Sequence, residues 1–228
     1  MTANDASTSA ERIQRLQSKV RELSFLHETS QLLTATLDLD SVLRSLMTQV
    51  RDYFQVEAVS VALLDEGGDT LTFRVAVGEA SEAVTGLRMP VDEGIAGWVT
   101  REGESIFVSD AYSNGRFYSS VDAETGFQTK TVLAAPIKTD QGTIGAIEAL
   151  NPRGGTLDEQ SLEVLNQVAN QAALAINNAE LYKRARRAER RYERLFHGSP
   201  VPVLVMDFDA HILDANQKAV QLIGRPRD

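Results

Sequence analysis

Cysteine is absent from this chain, and disulfides, thiolate metal sites, cysteine nucleophiles and thioether-linked chromophores are excluded with it. Histidine is scarce. His27, His197 and His211 are the whole supply, so a serine or threonine in the long stretch between the first two has no imidazole base near it in sequence. The same three positions are too scattered for a metal-ligand spacing, and no metal or other cofactor is expected. Basic residues are in deficit, 23 against 32 acidic, and the net charge of −9 argues against general affinity for nucleic acid, which needs cations to displace phosphate counterions. Long apolar runs are missing too. Stretches such as Val61-Ala62-Leu63-Leu64 and Val203-Leu204-Val205-Met206 fall far short of the roughly 20 residues that cross a bilayer. The opening Met1-Thr2-Ala3-Asn4-Asp5 has no basic region ahead of an apolar core, so no secretory signal is read. A cytoplasmic protein without membrane or nucleic-acid partners is expected. No Walker loop, dinucleotide fingerprint or kinase signature occurs, and an enzyme is not expected.

What is present suffices for one full domain with helical extensions, or at most two compact domains, in 228 residues of which 43% are hydrophobic. Residues 1–9 are small and polar and read as disordered. Within 10–37 the apolar residues Ile13, Leu16, Val20 and Leu23 recur at the spacing of a two-stranded coiled coil, weakened where His27 and Ser30 would continue it. Asp38 or Asp40 then caps a helix whose apolar face is Val42, Leu43, Leu46, Met47, Val50 and Phe54. Alternation in Val59, Val61, Leu63 and in Leu71, Phe73, Val75, Val77, around a turn at Asp65-Glu66-Gly67-Gly68-Asp69, predicts a hairpin with one buried face. Further strands are read at 87–91, 105–109, 131–138 and 142–151. A short helix carrying Ile95, Trp98 and Val99, capped by Asp92 or Glu93, falls between the first two of these. Residues 110–129, rich in Ser, Gly and Asn, are too long for a hairpin, and such loops are usually functional or mobile. After Pro152-Arg153-Gly154-Gly155 a helix is expected from Asp158 to about His197, roughly 60 Å long. Its predicted seam is Leu165, Val168, Ala172, Ala175, Ala179 and Tyr182, with a one-residue phase break before Ala185, Ala188, Tyr192 and Leu195.

The ordered series Gly94-Ile95-Ala96-Gly97-Trp98-Val99, Ile106-Phe107-Val108-Ser109-Asp110, Arg116-Phe117, Val132-Leu133-Ala134-Ala135-Pro136-Ile137 and Gly142-Thr143-Ile144-Gly145-Ala146-Ile147-Glu148-Ala149-Leu150-Asn151 closely resembles the GAF domain family. The resemblance spans about 38–181. It implies an α+β fold with a six-stranded antiparallel sheet and helices, here flanked by long N- and C-terminal coiled-coil-type helices, in a regulatory domain that is often dimeric. By position in the family pattern the ligand-pocket candidates are Trp98, Phe107, Asp110, Phe117, Tyr118, Phe127, Thr131 and Leu133. Aromatic walls with a few polar groups suit a small-molecule pocket, and equally a dry core under a long loop. Cyclic-nucleotide-binding members carry an Asn-Lys…Phe…Asp-Glu pattern at this end of the domain. Asn151 matches, but Pro152, Leu157 and Ser161 depart from it, which puts that ligand class in doubt. Residues 182–197 continue the last helix as a coiled-coil linker. The stretch Ser199-Pro200, Ile212-Leu213-Asp214-Ala215-Asn216 and Leu222-Ile223-Gly224, within 198–228, resembles the beginning of a PAS domain. Too few residues remain to close a PAS sheet, so the chain reads as a fragment with its output domain beyond Asp228.

Several motifs weigh less than they first suggest. His27-Glu28 resembles the start of a histidine-kinase phosphoacceptor box, but Thr29-Ser30-Gln31 departs from it. Glu148-Ala149-Leu150 spells a cyclic-dinucleotide phosphodiesterase signature and, without that enzyme's other carboxylates, is a strand segment. The basic cluster from Lys183 to Arg194 reads as the solvated flank of a coiled coil. The helix after Gly94 offers backbone N–H groups to an anion, although a structural cap is commoner. The reading is a sensory GAF module that binds a small ligand and passes a conformational signal through a parallel homodimeric coiled coil to a downstream output domain. Its seam is Ile13, Leu16, Val20, Leu23, Val168, Ala172, Ala175, Ala179 and Tyr182. The alternative is a ligand-free structural coupler.

Overall fold

The computed structural model describes residues 19–20, 23–26, 38–154 and 157–224. The chain divides into two compact units, Met1–Asn177 and Asn178–Asp228. In the first, helix α1 (Leu39–Phe54) begins where Asp38 accepts hydrogen bonds from the backbone N–H and the hydroxyl of Ser41, which hold the Asp38 carboxyl below its usual range. Its residues Val42, Leu43, Leu46, Met47 and Val50 are buried in one stripe, as their spacing predicts. Strands β1 (Val56–Leu64) and β2 (Thr70–Gly78) form the expected hairpin. Helix α2 (Ser81–Val84), β3 (Arg88–Pro90), α3 (Gly94–Glu102), β4 (Ile106–Val108), α4 (Ser120–Thr125), β5 (Val132–Thr139), β6 (Gly142–Pro152) and α5 (Glu159–His197) follow.

The six strands make one antiparallel sheet in the order β3-β2-β1-β6-β5-β4. Its two faces bury separate apolar clusters. One face carries Val59, Val61, Leu133, Ile137, Ile147 and Ala149 against α1 and the start of α5, joined by Phe25, which stacks on Tyr53 at 4.3 Å. The other carries Ala62, Phe73, Val108, Ala134 and Ala146 against α3 and the segment that follows β4.

The alternation in β2 does not produce the single buried face expected of it. A register shift opposite Val61 and Ala62 inserts one residue into the ladder, so Leu71 and Phe73 join the α3 side while Val75 and Val77 join the α1 side. A bulge leaves the apolar pattern unbroken in sequence while reversing which face it serves.

The expected seam along α5 is also corrected. Val168 and Ala172 are fully buried and Ala175 nearly so, and Val168 and Ala172 belong to the cluster under the domain's own sheet, which leaves them no surface for a second chain. Ala179 is half-buried and Tyr182 is 42% exposed, with the Arg186 guanidinium 5.8 Å from its ring. Val20 and Leu23 are exposed, and Ile13, Leu16, His27 and Ser30 lie outside the described residues.

The second unit contains the end of α5, the hairpin β7 (Leu204–Met206) and β8 (Ile212–Ala215), and α6 (Gln217–Ile223). Asn216, fully buried, holds these pieces together. Its Oδ1 accepts from Val203 N–H and Ala219 N–H, and its Nδ2 donates to the carbonyls of Phe196 and Val201. Asp207, Asp209 and His211, whose ligand-type atoms lie within 4.8 Å of one another, are exposed, and hydrogen bonds to Asp207 from both neighbours close the β7–β8 turn.

Candidate functional site

Between the sheet and the α3-to-β5 segment lies a cavity of about 70 Å³, room for a small organic group, since a single water needs about 10–15 Å³ on the same measure. Its floor is formed by residues from one side of the central strands: Ala58 and Ser60 from β1, Phe73 and Ala76 from β2, brought to the same side by the bulge between them, and Glu148 and Leu150 from β6. Small residues at Ala58, Ser60 and Ala76 leave the space that a uniformly large-residue face would fill. One wall is the start of α3. Gly94 adopts φ +73°, and a Cβ there would come within 2.5 Å of Met89 Cε; at Gly97 it would come within 2.4 Å of the Val91 carbonyl oxygen. These two glycines let α3 seat against β3 and the residue that follows it. Glu93 precedes the helix without a side-chain cap bond, so the expected capping by Asp92 or Glu93 is not found.

The roof is the segment from Ser109 to Lys130. It is not a bare loop, because it contains α4 and is fixed at several points. Asp122, buried in α4, accepts from Tyr112 Oη at 3.0 Å, Thr129 N–H at 2.6 Å and Thr129 Oγ1 at 2.7 Å, and this bonding raises the Tyr112 phenol's pKa. Arg116 lies over the Trp98 ring at 4.8 Å. Asn151, at the end of β6, accepts from Lys130 N–H and Thr131 N–H and donates to Glu57 Oε2 and the Gln128 carbonyl.

The structure divides the sequence-predicted pocket residues. Phe117, Tyr118 and Phe127 line the cavity. Trp98 is half-buried in the cluster on the same side of the sheet. Phe107 and Leu133 are not brought to the cavity: they pair across β4 and β5 and pack in the α1-side cluster, because alternation sends them through the sheet. Asp110 is exposed and bonds Ser113, whose hydroxyl and N–H hold the Asp110 carboxyl below its usual range. Thr131 donates its hydroxyl to the Ser109 carbonyl at 3.3 Å, tying the two ends of the roof.

The residue that sequence reasoning missed is Glu148. Its neighbours Ile147 and Ala149 face α1 and α5, while Glu148 points into the cavity. It is 9% exposed, and burial pushes its carboxyl up to about 7, with smaller opposing contributions from Ser60 and the Ala96 N–H. Ser60 Oγ stands 3.5 Å from Oε2, a long hydrogen bond. The Ala96 N–H belongs to the first turn of α3, so the helix N-terminus faces a carboxyl of the protein itself. The available signal was a lone acidic residue in an otherwise apolar strand, flanked by Ala146, Ile147, Ala149 and Leu150.

The GAF domain family profile matches residues 38–176, and a PAS domain profile matches residues 190–228. Among curated proteins, the chain is 29% identical over 165 residues to a probable 3',5'-cyclic phosphodiesterase, pde-5, of Caenorhabditis elegans, covering 68% of this chain and 23% of that protein. It is 34% identical over 104 residues to the dual 3',5'-cyclic-AMP and -GMP phosphodiesterase 11A of Takifugu rubripes, covering 44% of this chain and 12% of that protein. The chain thus spans less than a quarter of either relative. Among solved structures, the GAF domain of a phosphoenolpyruvate-protein phosphotransferase from Coxiella burnetii superposes with a TM-score of 0.64 at 20% identity, over 71% of this chain and 96% of that one. The corresponding Acinetobacter domain gives 0.62 at 21% identity, over 72% and 98%. The structural likenesses establish the fold.

Proposed function

Because the chain belongs to the GAF domain family, we propose that it is a sensory module whose cavity takes a small molecule and whose α5 passes the consequence to a second copy and to whatever domain follows. The observation that carries this reading is the cavity itself: about 70 Å³, walled by Phe73, Phe117, Tyr118 and Phe127, floored by a buried carboxyl and roofed by a segment tied down at both ends. A ligand can move an equilibrium only by its difference in affinity for two states. The roof is the element whose position an occupant would set, and it is bonded through Asn151 to β6, whose Ile147 and Ala149 pack in the same cluster as the first turns of α5. The chain spans less than a quarter of either related phosphodiesterase, so no catalytic step is assigned.

For the pairing of copies, α5 offers a different stripe from the one its alanines suggest. Leu174, Leu181, Ala188 and Leu195 recur every seventh residue, with Asn178, Ala185 and Tyr192 interleaved at the complementary spacing. Leu174, Leu181 and Leu195 are 56%, 54% and 66% exposed. Tyr192 in the same stripe stacks on Phe196 and bonds Asp214. This repeat runs without the phase break, and it places one polar residue, Asn178, where a buried Asn sets register in two-stranded coiled coils. In a parallel pair, Arg184 of one helix falls opposite Glu189 of the other.

Light scattering on the purified chain is expected to give a dimer, and Leu181→Glu combined with Leu195→Glu a folded monomer with unchanged circular dichroism per residue. A monomeric wild-type protein removes the dimeric transmitter. Native mass spectrometry with extraction of retained small molecules tests the sensor: an occupied cavity, emptied by Ala76→Phe, supports it. A cavity that neither retains nor admits any probe leaves the ligand-free coupler.

A further inference from the structure

We propose that the cavity selects a small organic cation, a flat body bearing an amidinium or guanidinium group held by Glu148, and discriminates against anions such as cyclic nucleotides. This rests on the reading of the cavity as a ligand site and goes beyond it by naming the chemistry. Among the described residues that line the cavity there are three carboxyls, Glu79, Asp122 and Glu148, and no lysine, arginine or histidine. Glu79 is compensated by Arg153 at 2.8 Å. Asp122 is saturated by Tyr112 and Thr129. Among the described residues, Glu148 has the long contact with Ser60 and the Ala96 N–H near it, and no cationic partner.

A buried carboxylate lacking a counter-ion is expensive, and a ligand that brings the missing charge recovers that cost on binding. A planar cation with two parallel N–H donors matches a carboxylate in two-point geometry. The faces of Phe73, Phe117, Tyr118 and Phe127 suit the flat body and add attraction for positive charge. An anion meets the opposite situation. The Ala96 N–H at the N-terminus of α3 already favours the charged form of Glu148, and no cationic side chain among the described residues lines the cavity to receive an anion. The titratable groups facing Glu148 across the cavity, Asp122, Glu79 and Tyr118, are themselves acidic, so none of them supplies a positive charge at any pH.

The test uses three nearly isosteric probes, benzamidinium, benzamide and benzoate, together with cyclic AMP and cyclic GMP, titrated calorimetrically into the full chain at pH 8.5. Benzamidinium is expected to bind at least tenfold more tightly than benzamide, with no detectable binding of benzoate or either cyclic nucleotide. Glu148→Gln should bring benzamidinium down to the level of benzamide. As a check independent of any variant, benzamidinium binding to the wild-type chain at pH 6.5 should release protons, seen as a dependence of the enthalpy on buffer ionisation that vanishes at pH 8.5. Tighter binding of benzoate or a cyclic nucleotide, equal binding of the three benzene probes, or a preference for benzamidinium that survives Glu148→Gln overturns the proposal. In each of these cases something enters the cavity, so the sensor reading stands. If no probe binds and neutral Nile red also fails to enter, both fall together.

Discussion

Asn151→Ala is expected to destabilise the first unit by about 3–5 kcal/mol, the largest effect of any single polar substitution in it. The side chain is 4% exposed and uses its full hydrogen-bonding capacity. Oδ1 accepts from Lys130 N–H at 2.7 Å and Thr131 N–H at 3.1 Å, and Nδ2 donates to Glu57 Oε2 at 2.7 Å and Gln128 O at 2.8 Å. Alanine removes four bonds and leaves buried backbone groups without partners, each costing about 1–3 kcal/mol. Asn151 also sits at φ +55°, a left-handed conformation that Asn tolerates and alanine resists. Asn151→Asp should be no milder, because it keeps the acceptor but sets a carboxylate against Glu57. Urea unfolding followed by the fluorescence of Trp98, the sole tryptophan, measures the loss. A cost below about 1 kcal/mol would show that the roof is held by Asp122 and the Trp98–Arg116 contact instead. The same variant should make 109–131 the first site of limited proteolysis.

Asn151 also shows how a motif can be legible while its work is not. The sequence places it at a family position associated with ligand binding, whereas the structure gives it the task of fastening the roof of the cavity to β6. What was readable followed from periodicity. The apolar stripe of α1 has one partner, the sheet, and the pattern from Val42 to Val50 is enough to place it. Strand positions were readable for the same reason, with ends moved by a residue or so. The side each residue serves was less readable: the β2 bulge reverses the sense of Leu71–Val77 without disturbing a single apolar position, and Phe107 and Leu133 lie next to cavity-side residues in sequence but on the other side of the sheet. In α5 two apolar stripes coexist. Period alone cannot say whether Val168 and Ala172 or Leu174 and Leu181 meet the domain's own sheet. Burial assigns the first pair to it and leaves the second exposed. Helix α4 was hidden because its six residues, Ser120–Thr125, are mostly polar and depend on Asp122 rather than on an apolar face.

Glu148 is the group whose contribution is lost as the pH rises to neutrality, and the protein should therefore be more stable at pH 5 than at pH 8.5. Its carboxyl titrates near 4.5 when exposed in the unfolded chain and near 7 when buried in the folded one. Between those values the folded state retains a proton that the unfolded state has lost. The contribution is fully present below about pH 4.5 and is lost as the pH rises through about 7. At about 1.4 kcal/mol per pH unit, the displacement corresponds to about 3 kcal/mol. Carboxyls held below their usual range, Asp38 and Asp158 by their bonds to Ser41 and Ser161, act in the opposite sense, but only at more acidic pH, so the two windows separate. Glu148→Gln removes the titration while keeping the side chain's shape. Urea midpoints for the wild-type chain should fall between pH 5 and about pH 7 and level off above it, and those of the variant should stay level, so that the two curves separate below neutrality and remain apart above it with the variant the more stable. Curves that stay parallel from pH 5 to pH 7 would mean that the Ala96 N–H and Ser60 hold the buried carboxylate as well as water does. Addition of benzamidinium supplies a further discriminating result: a cation on Glu148 should flatten the wild-type curve from the alkaline side and leave the variant's unchanged.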